Sequence, residues 1–485
     1  MMKRITALLI LCGTLLTSAA CASETSTVTA DTTAADAVNE TTAETTTSDP
    51  YQDELEEYNF DGVDFHMYTH LNQHIHHALN VEEETGDVLN DAVYRRNRTV
   101  ESRFNFTMSE VIDKDNNIVK NAILAGDKSI NMANLHASTI VNFAAEGLLI
   151  AISELDAIDL DKAYWDKEMT STVSVAGHQY FAFGDYNLAI FDFIHLLLFN
   201  KKMAEGYGIG DLYGMVKDGE WTFEKFEEII SSITKDVDGN GTLDVNDSYG
   251  FVSAPKQVLP CFWISAGLRT IDKNDDDELL FAIPGNNKFF ECIDRTFEMI
   301  YDGGGWFKNT SSSNIPKESY TLFQSDRALF MNVTSFYASE LRSMDADFGI
   351  IPYPKWDESQ DKYYSRIESC QASCVPMTSP DPQMVGVILE AMSCESAKSV
   401  VPAYYDLTLQ GKIARDNESS EMLDIIYDNR VFDWGDAIWF GILRDKVFGT
   451  MFKENDRDLA SKLAALEETV NAQIKTTVDA YKALK

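Results

Sequence analysis

The chain has 485 residues, 45% of them hydrophobic and 11% aromatic, which is the composition of a folded protein with two or three units. Its 78 Asp and Glu residues outnumber 40 Lys and Arg residues. An acidic surface repels phosphate backbones, so nucleic-acid binding is disfavoured. Beyond the N-terminus, no uninterrupted apolar stretch reaches the roughly 18 residues of a membrane span, so no transmembrane helix is expected in the mature chain.

The N-terminus carries the pattern of an export signal. A basic pair precedes an apolar run over residues 5–16, which is followed by small residues and then by Cys21. This order is typical of a signal peptide, here residues 1–20. A Cys directly after Ala-Ala resembles the bacterial lipobox, so we expect a lipid on Cys21 that holds the protein at the extracellular face of the membrane. Ser18 departs from the usual aliphatic residue and leaves plain secretion open.

The next segment has the composition of a disordered tether. Residues 22–50 are almost all Thr, Ala, Ser, Glu and Asp, and none is aromatic. Such a segment cannot bury enough apolar surface to offset the entropy lost on ordering. We therefore expect residues 21–57 to lift a folded body, which begins near Tyr58, off the lipid anchor.

From residue 62 onward, strand patterns alternate with helix patterns. Residues 62–70 alternate apolar and polar side chains, which is the period of a strand, and helical spacing follows at about 90–103. A strand, a helix, a strand and a helix are predicted next at 104–108, 117–125, 132–135 and 138–146. Strands that alternate with helices indicate a parallel sheet covered on both faces.

The rest of the chain continues this pattern. Residues 194–199 are predicted as a buried strand, and Thr222 as the N-cap of a helix. Further strands are predicted at 328–333 and 348–351. Residues 458–484 place apolar side chains at helical spacing and predict a long terminal helix.

The sharpest motif is DVDGNGTLDVND at residues 236–247. It fits a calcium loop, with oxygen-bearing side chains at positions 1, 3, 5, 9 and 12 and glycine at position 6. We expect a structural calcium ion here, held by Asp236, Asp238, Asn240, the carbonyl of Thr242, Asp244 and Asp247. Asp247 is shorter than the usual Glu at position 12, which should weaken the affinity. A turn that needs no metal is the alternative.

Histidines and cysteines give no convincing transition-metal site. His66 and His70 lie about 13 Å apart if a strand rises ~3.3 Å per residue, so they cannot share an ion. The three other histidines of residues 66–77 lack a carboxylate or Cys at a suitable spacing. Cys370 and Cys374 lack a second pair at zinc spacing. The mature body's other cysteines are expected to be core residues, with at least one free thiol among them.

Several segments in fixed order carry a family resemblance. They are GDVLNDAVYRRNRTVESRFNF (86–106), LLLFNKKMAEGYGI (196–209), GEWTFEKFEEI (219–229), DVDGNGTLDVNDSYGF (236–251), FGIIPYPKWDESQDKYYS (348–365) and PAYYDLTLQGKIARDNESSEMLDII (402–426). Together with the lipobox and the acidic tether, they resemble the extracellular solute-binding proteins of carbohydrate ABC transporters. The resemblance is to the maltodextrin-binding type, in a branch of clostridial lipoproteins.

This resemblance implies an α/β fold of two lobes, the type II periplasmic-binding-protein-like fold, with a ligand cleft between lobes joined by hinge-crossing strands. Mapped onto this chain, the first crossing would be residues 194–199 and the second would lie near 373–376. Lobe one would comprise 58–193 and 376–430, and lobe two 197–372 and 431–485.

The resemblance also places ligand contacts after the strands of lobe one and around the hinge. A sugar site needs flat apolar surfaces and polar groups that grip hydroxyls. The candidates are His70, His136, Ser138, Asp185 and Asp192 on lobe one, and Trp263, Ser335, Trp434 and Trp439 on lobe two. The segment around Trp434 lies where related proteins carry a stacking aromatic, so it is the first choice.

The function implied is that of a lipid-anchored receptor, which binds a mono- or oligosaccharide and delivers it to the permease subunits of an ABC importer. It needs no organic cofactor. The alternative is a surface-anchored adhesin or polysaccharide-binding lipoprotein that is not coupled to transport. The sequence contains no Gly-rich phosphate loop, G-x-S-x-G elbow or H-E-x-x-H motif, and no carboxylate pair is marked for glycoside hydrolysis. We therefore expect no enzyme activity.

Overall fold

The computed structural model describes residues 51–70, 77–115, 117–305, 317–341, 347–409 and 417–484. The predicted signal peptide, Cys21 and nearly all of the tether lie outside these ranges and stay predictions. Within them, no helix combines the length and the apolar character that a bilayer span requires.

Strands and helices alternate along the described chain. The strands are β1 Val63–His70, β2 Phe106–Asp113, β3 Met132–His136, β4 Leu149–Ile150, β5 His195–Asn200, β6 Tyr249–Val252, β7 Ile271–Lys273, β8 Leu279–Phe281, β9 Ala328–Thr334, β10 Phe348–Ile351, β11 Ser365–Arg366, β12 Gln371–Pro376 and β13 Arg430–Val431. The helices are α1 Val88–Phe104, α2 Asn117–Ala125, α3 Ala137–Ala145, α4 Lys167–Thr172, α5 Ala189–Asp192, α6 Lys201–Tyr207, α7 Leu212–Lys217, α8 Phe223–Ile233, α9 Pro255–Ser265, α10 Asn287–Phe297, α11 Lys317–Gln324, α12 Ser335–Glu340, α13 Pro382–Glu395, α14 Val401–Leu409, α15 Asn417–Asp428, α16 Gly449–Glu454 and α17 Leu459–Ala483.

Two main sheets form the centres of two lobes. The first has the order β2-β1-β3-β12-β4 and the second the order β10-β5-β9-β6. In the first, β1 runs parallel to β2 and β3, whereas β12 is antiparallel to β3 and β4. In the second, β5 is antiparallel to β9 and β10, and β6 is parallel to β9. The parallel arrangement predicted from residues 62–146 is confirmed for β1, β2 and β3, whereas β12 enters the first sheet in the opposite direction and the second sheet is mixed.

β1 shows how the sequence pattern becomes a buried strand. Phe65 and Met67 are fully buried, as the alternation predicts, whereas Val63 is 49% exposed at the start of the strand. Tyr68 and Thr69 are buried as well, although they point to opposite faces. The second half of β1 is covered on both faces, because Tyr68 belongs to one apolar cluster and Met67 to another.

Short strands on the crossing segments tie the lobes together. The chain leaves the first lobe at Phe193 and enters β5 as predicted, and it returns between β11 and β12, slightly before the predicted second crossing. The amide of Glu368 donates to the carbonyl of Phe193 at 3.1 Å. The amide of Ile367 donates to the carbonyl of Val431 at 3.0 Å, and β13 runs parallel to β11. β13 thus lies beside the return crossing as a third strand of the hinge.

The C-terminal helices divide between the lobes differently from the prediction. α15 packs on the second lobe, where Ser419 bonds Tyr213 at 2.9 Å and Glu421 pairs with Lys217, whereas 417–428 had been assigned to lobe one. α17 contacts both lobes, because Tyr481 packs on Tyr180 of the first lobe. These assignments depend on contacts between residues far apart in sequence.

The core covers both faces of the first sheet. One apolar cluster, which includes Phe65, Val375 and Ile388, lies on one face. A larger cluster continues from the other face through Ile194 into the second lobe, where it includes Phe251. The five cysteines between residues 261 and 394 are buried and form no disulfide, as predicted for core residues.

Gly250 marks a close approach between a helix and a strand. A Cβ atom at Gly250, in β6, would lie 2.3 Å from the Cα of Ile230 in α8. Real Cβ atoms do not approach a backbone so closely, so the helix would have to move away from the sheet. A Cβ atom at Gly206, in α6, would have no neighbouring atom within 4 Å.

We predict that Gly250→Ala destabilises the protein by about 1–3 kcal/mol or more because it overpacks the contact with Ile230. Urea unfolding would measure the change. The matched control Gly206→Ala should be neutral or stabilising by up to ~1 kcal/mol, since alanine favours a helix. Equal midpoints for the two variants would contradict this account of the packing.

Candidate functional site

Charged side chains are buried where the chain crosses between the lobes. Arg366 of β11 donates from Nε and Nη2 to the two carboxylate oxygens of Asp436, at 2.6 and 2.8 Å. Both residues are at most 2% exposed. The crossing segment after β11 carries Glu368, and Arg444 lies 3.7 Å from its carboxylate and 3.8 Å from that of Asp436. We call Arg366, Glu368, Asp436, Arg444 and His195 the hinge network.

His195 joins the first crossing to the second in this network. Its Nδ1 lies 3.0 Å from Oδ1 of Asn332, and its Nε2 lies 3.2 Å from Oε2 of Glu368. Burial opposes the charge on His195, but interactions with Cys261 and Glu368 outweigh it and raise the pKa to about 9. Burial alone would raise the pKa of Glu368, whereas the bond from His195 and the charge of Arg444 hold it well below its usual value. The carboxylates of Glu368 and Asp436 thus lie beside the arginines and His195, and Nη1 of Arg366 also lies 3.0 Å from Nε2 of His195.

The structure brings the predicted residues His136 and Ser138 to the seam. His136 ends β3 and is the N-cap of α3. Its Nδ1 accepts from the amide of Ser138. Its Nε2 lies 2.8 Å from Oγ of Ser369 in the return crossing. The ring of Phe440 lies 5.9 Å from the His136 ring, in an edge arrangement. A polar side chain of lobe one and an aromatic side chain that follows β13 thus meet here.

Asp192 and Ser335 meet around the first crossing. Asp192 is 1% exposed, and its carboxylate accepts from the hydroxyl of Tyr404 at 2.9 Å. His77 lies 3.4 Å from the same oxygen. Ser335 begins α12, donates from its amide to the carbonyl of Ile194 at 2.9 Å, and bonds the carbonyl of Phe191 through its hydroxyl. The predicted pair therefore packs against the hinge rather than facing solvent.

His70 and Asp185 lie at the edges of this region. His70 ends β1, its Nε2 lies 3.1 Å from the carbonyl of Lys114, and its own carbonyl accepts from Gln371 of β12. The histidines at 74 and 76 fall outside the described residues. Asp185 is buried beside an open groove of about 270 Å³.

This groove has mixed polar and aromatic walls. Trp165 and Asp166 of lobe one line it together with Tyr427 and Arg430. Arg430 donates to Asp166 at 2.8 Å, and each side chain is 12% exposed. The guanidinium of Arg430 also lies 5.0 Å from the ring of Phe191. The rings of Trp165 and Tyr427 are themselves buried, so the groove offers a small solute mainly its polar groups.

The three predicted tryptophans are packed inside the protein. Trp263 is fully buried, with ring centroids 5.7 Å from Phe289 and 4.7 Å from Phe448. Trp434 is 1% exposed and donates from its indole nitrogen to the carbonyl of Thr172 at 2.6 Å. Trp439 is 8% exposed and packs 5.4 Å from Trp434. The predicted stacking platform is not offered to solvent in this structure, because protein groups already cover these rings.

Half-buried aromatic residues that the sequence analysis did not name lie nearby. Phe440 contacts His136 on one side, and the guanidinium of Arg444 lies 5.2 Å from its ring. Phe336 and Tyr337, directly after Ser335, pack against each other at 5.4 Å. Phe336 and Tyr337 directly follow the candidate Ser335 and the strand predicted at 328–333. That position in the sequence could have indicated them as candidate ligand contacts. These three side chains retain exposed surface near the seam.

The loop at 236–247 brings acidic side chains together. Carboxylate oxygens of Asp236, Asp238 and Asp247 lie within 4.8 Å of one another. Gly241, at position 6, has a φ of 81°, which permits the sharp turn. Asp247 accepts from the amides of Asp244 and Val237 at 2.8 and 2.7 Å, and these bonds lower its pKa. The donor set fits a hard cation with oxygen ligands at about 2.3–2.6 Å.

The protein is similar in structure to solved structures of solute-binding proteins. No family model and no curated protein matches the sequence. An ABC substrate-binding protein from Listeria monocytogenes, in complex with cycloalternan, matches with a TM-score of 0.54 and 12% identity over 86% of this chain and 100% of that chain. An extracellular solute-binding protein from Staphylococcus aureus, in complex with maltose, matches with a TM-score of 0.56 and 12% identity over 86% and 98%.

A cyclo/maltodextrin-binding protein complexed with maltotetraose is similar to the same extent. Its TM-score is 0.56 at 11% identity, over 87% of this chain and 96% of that chain. At such low identity the similarity establishes the fold. The chain has the two-lobed α/β fold of solute-binding proteins, which confirms the fold implied by the sequence resemblance.

We predict that Asp436→Asn lowers the free energy of unfolding by about 3–5 kcal/mol, because it leaves Arg366 buried without its counter-charge. Urea unfolding would measure the loss. Glu228→Gln breaks an exposed pair with Lys225 and should cost at most ~1 kcal/mol. A loss at Asp436 no larger than that of the surface control would show that the network does not stabilise the fold in the way argued here.

Proposed function

We propose that this protein is the substrate-binding component of an ABC importer and binds a carbohydrate at the seam between its lobes. The observation that carries the proposal is the hinge itself, where two sheets are joined by crossing strands with polar and aromatic side chains beside them. Lobes joined in this way can close around a small ligand by rotation at the crossings. The proposal includes delivery of the loaded, closed form to a permease.

The matched structures support a carbohydrate ligand. Those of the Listeria monocytogenes and Staphylococcus aureus proteins and of the cyclo/maltodextrin-binding protein contain cycloalternan, maltose and maltotetraose. A shared fold does not determine which substrate a protein binds, so suitable side chains must also be present. In this chain, His136 and Ser369 supply groups that can bond a hydroxyl, and Phe440 supplies an aromatic surface beside them.

The proposal assigns the protein a binding role without covalent chemistry. The matched structures carry names of binding proteins, and the hinge network pairs its carboxylates with arginines rather than exposing them. The N-terminal pattern supports a lipid on Cys21 and an extracellular location, with the lipid as the sole membrane attachment.

We predict that maltodextrins raise the melting temperature of the protein, because a ligand at 100 times its dissociation constant adds ~2.7 kcal/mol to stability. Calorimetric titration would give the affinity. Phe440→Ala should weaken binding about two- to tenfold or more, since an aromatic contact is worth roughly 0.5–1.5 kcal/mol beyond its buried area. Tyr207→Ala, at a side chain 43% exposed on α6, should bind as the unmodified protein does.

Solution scattering and product analysis distinguish the other functions. A receptor should become more compact when the ligand binds. Binding to insoluble polysaccharide without compaction would support an adhesin instead. Release of new reducing ends from an oligosaccharide would show a glycosidase. The absence of a thermal response to any mono- or oligosaccharide would contradict the carbohydrate proposal.

We also propose that residues 236–247 hold a structural calcium ion through the six predicted ligands. The convergence of three carboxylates around Gly241 supports this. Without a cation, the like charges of Asp236, Asp238 and Asp247 repel one another at short range. A bound ion removes that repulsion and fixes the loop to β6, which begins at Tyr249.

We predict that a chelator lowers the melting temperature and that added calcium restores it, because an ion bound to the folded state stabilises that state. Asp238→Asn should abolish the response to both treatments. Asp275→Asn, in an exposed Asp-rich turn elsewhere, should leave the response intact. Identical melting of the unmodified protein with and without chelator would show that the loop is a turn without a metal.

A further inference from the structure

The turn of a hairpin in the second lobe contacts the first lobe through residues that are not part of the crossing strands. β7 and β8 form this hairpin, and its turn carries Asp277. The carbonyl of Asp277 accepts from the amide of Ala176 at 2.7 Å, and its Oδ2 accepts from the amide of Gly177 at 3.0 Å. Its Oδ1 accepts from the hydroxyl of Ser174 at 2.9 Å. Asp277 therefore contacts three residues of the other lobe, two through its side chain and one through its backbone carbonyl.

Lys273, at the end of β7, strengthens the same contact. Its Nζ donates to Oδ1 of Asp277 at 2.7 Å and to Oγ of Ser174 at 2.8 Å. It also donates to the carbonyl of Ser171 in lobe one. The ammonium thus bridges the hairpin and the other lobe, and it compensates the carboxylate of Asp277 where both are partly shielded from water.

The backbone at this contact is in an unusual conformation on both sides. Asp277 has a φ of 59° and Ala176 a φ of 51°, in the left-handed region that side chains disfavour. Such conformations persist where surrounding contacts determine them. The amide of Ala176 and the carbonyl of Asp277 are bonded to each other, so each lobe holds the other's turn in place.

The base of the hairpin is attached to the hinge. Asp433 lies two residues after β13, and its carboxylate accepts from the hydroxyl and the amide of Thr270, at 2.8 and 3.2 Å. Thr270 directly precedes β7. Trp434, which directly follows Asp433, donates from its indole nitrogen to the carbonyl of Thr172 in lobe one. A continuous run of contacts therefore links the third strand of the hinge to the hairpin.

We infer that Asp277 and Lys273, with residues 171–177 of lobe one, form a latch that holds the two lobes together and must release before they open. These contacts join the two lobes without being part of the crossing strands, so a rotation that separates the lobes must break them. Its role in ligand exchange rests on the proposed function, whereas its effect on lobe opening does not.

Ligand-free protein tests the latch directly. Asp277→Gly removes the carboxylate and tolerates the left-handed backbone. Ser174→Ala removes a partner from the other lobe and leaves the hairpin intact. We expect both variants to have a larger radius of gyration in solution scattering. We also expect the amides of Ala176 and Gly177 to exchange with solvent about tenfold faster or more, because their opening costs less.

The matched control is Asp275→Gly, an exposed position in the same turn. It should leave the scattering and the exchange rates of the unmodified protein unchanged. Unchanged scattering together with unchanged amide exchange in both latch variants would overturn the inference. If maltodextrins bind, dissociation measured by stopped flow should be faster from the latch variants. If no sugar binds, scattering and exchange still decide the latch, so the two proposals fail separately.

Discussion

The structure depends on pairing charges where the chain crosses between its lobes. The crossing strands are buried, and a buried charge without a partner is costly. Arg366 on one crossing bonds Asp436, and Glu368 on the same crossing is flanked by His195 of β5 and by Arg444. These contacts connect both crossings to the segment after β13 in one hinge.

The hairpin contact at Asp277 differs from the hinge network in its burial and in whether it can separate. The hinge network is enclosed on all sides, so breaking it costs stability without exposing a site for a ligand. The hairpin contact at Asp277 is partly exposed and joins two short turns, so it can separate while each lobe stays folded. The hinge network stays paired, whereas the hairpin contact can separate, and Asp433 and Thr270 link the two. A protein that closes on a ligand requires both kinds of contact.

Local sequence patterns predicted elements well and their partners poorly. The strand at 348–351 and the terminal helix at 458–484 agree with β10 and α17 to within a residue, since periodicity is a local property. The direction of β12 and the packing of α15 on lobe two depend on residues far away in sequence. For the site, His136 was found at the seam because it ends a strand. The burial of Trp434 could not be predicted, because its indole donates to the carbonyl of Thr172 and no local pattern shows that contact.

The electrostatics of the chain restrict the class of ligand. A net charge of −38 repels anionic solutes from the whole surface, so a neutral ligand enters at lower cost. The charges at the hinge already satisfy one another and offer no unpaired ion to a charged guest. The polar contact that a ligand could replace is the one between His136 and Ser369, beside the ring of Phe440. A hydroxyl matches this bond in size and polarity, and a sugar ring matches the aromatic face, so a neutral carbohydrate fits both constraints at once.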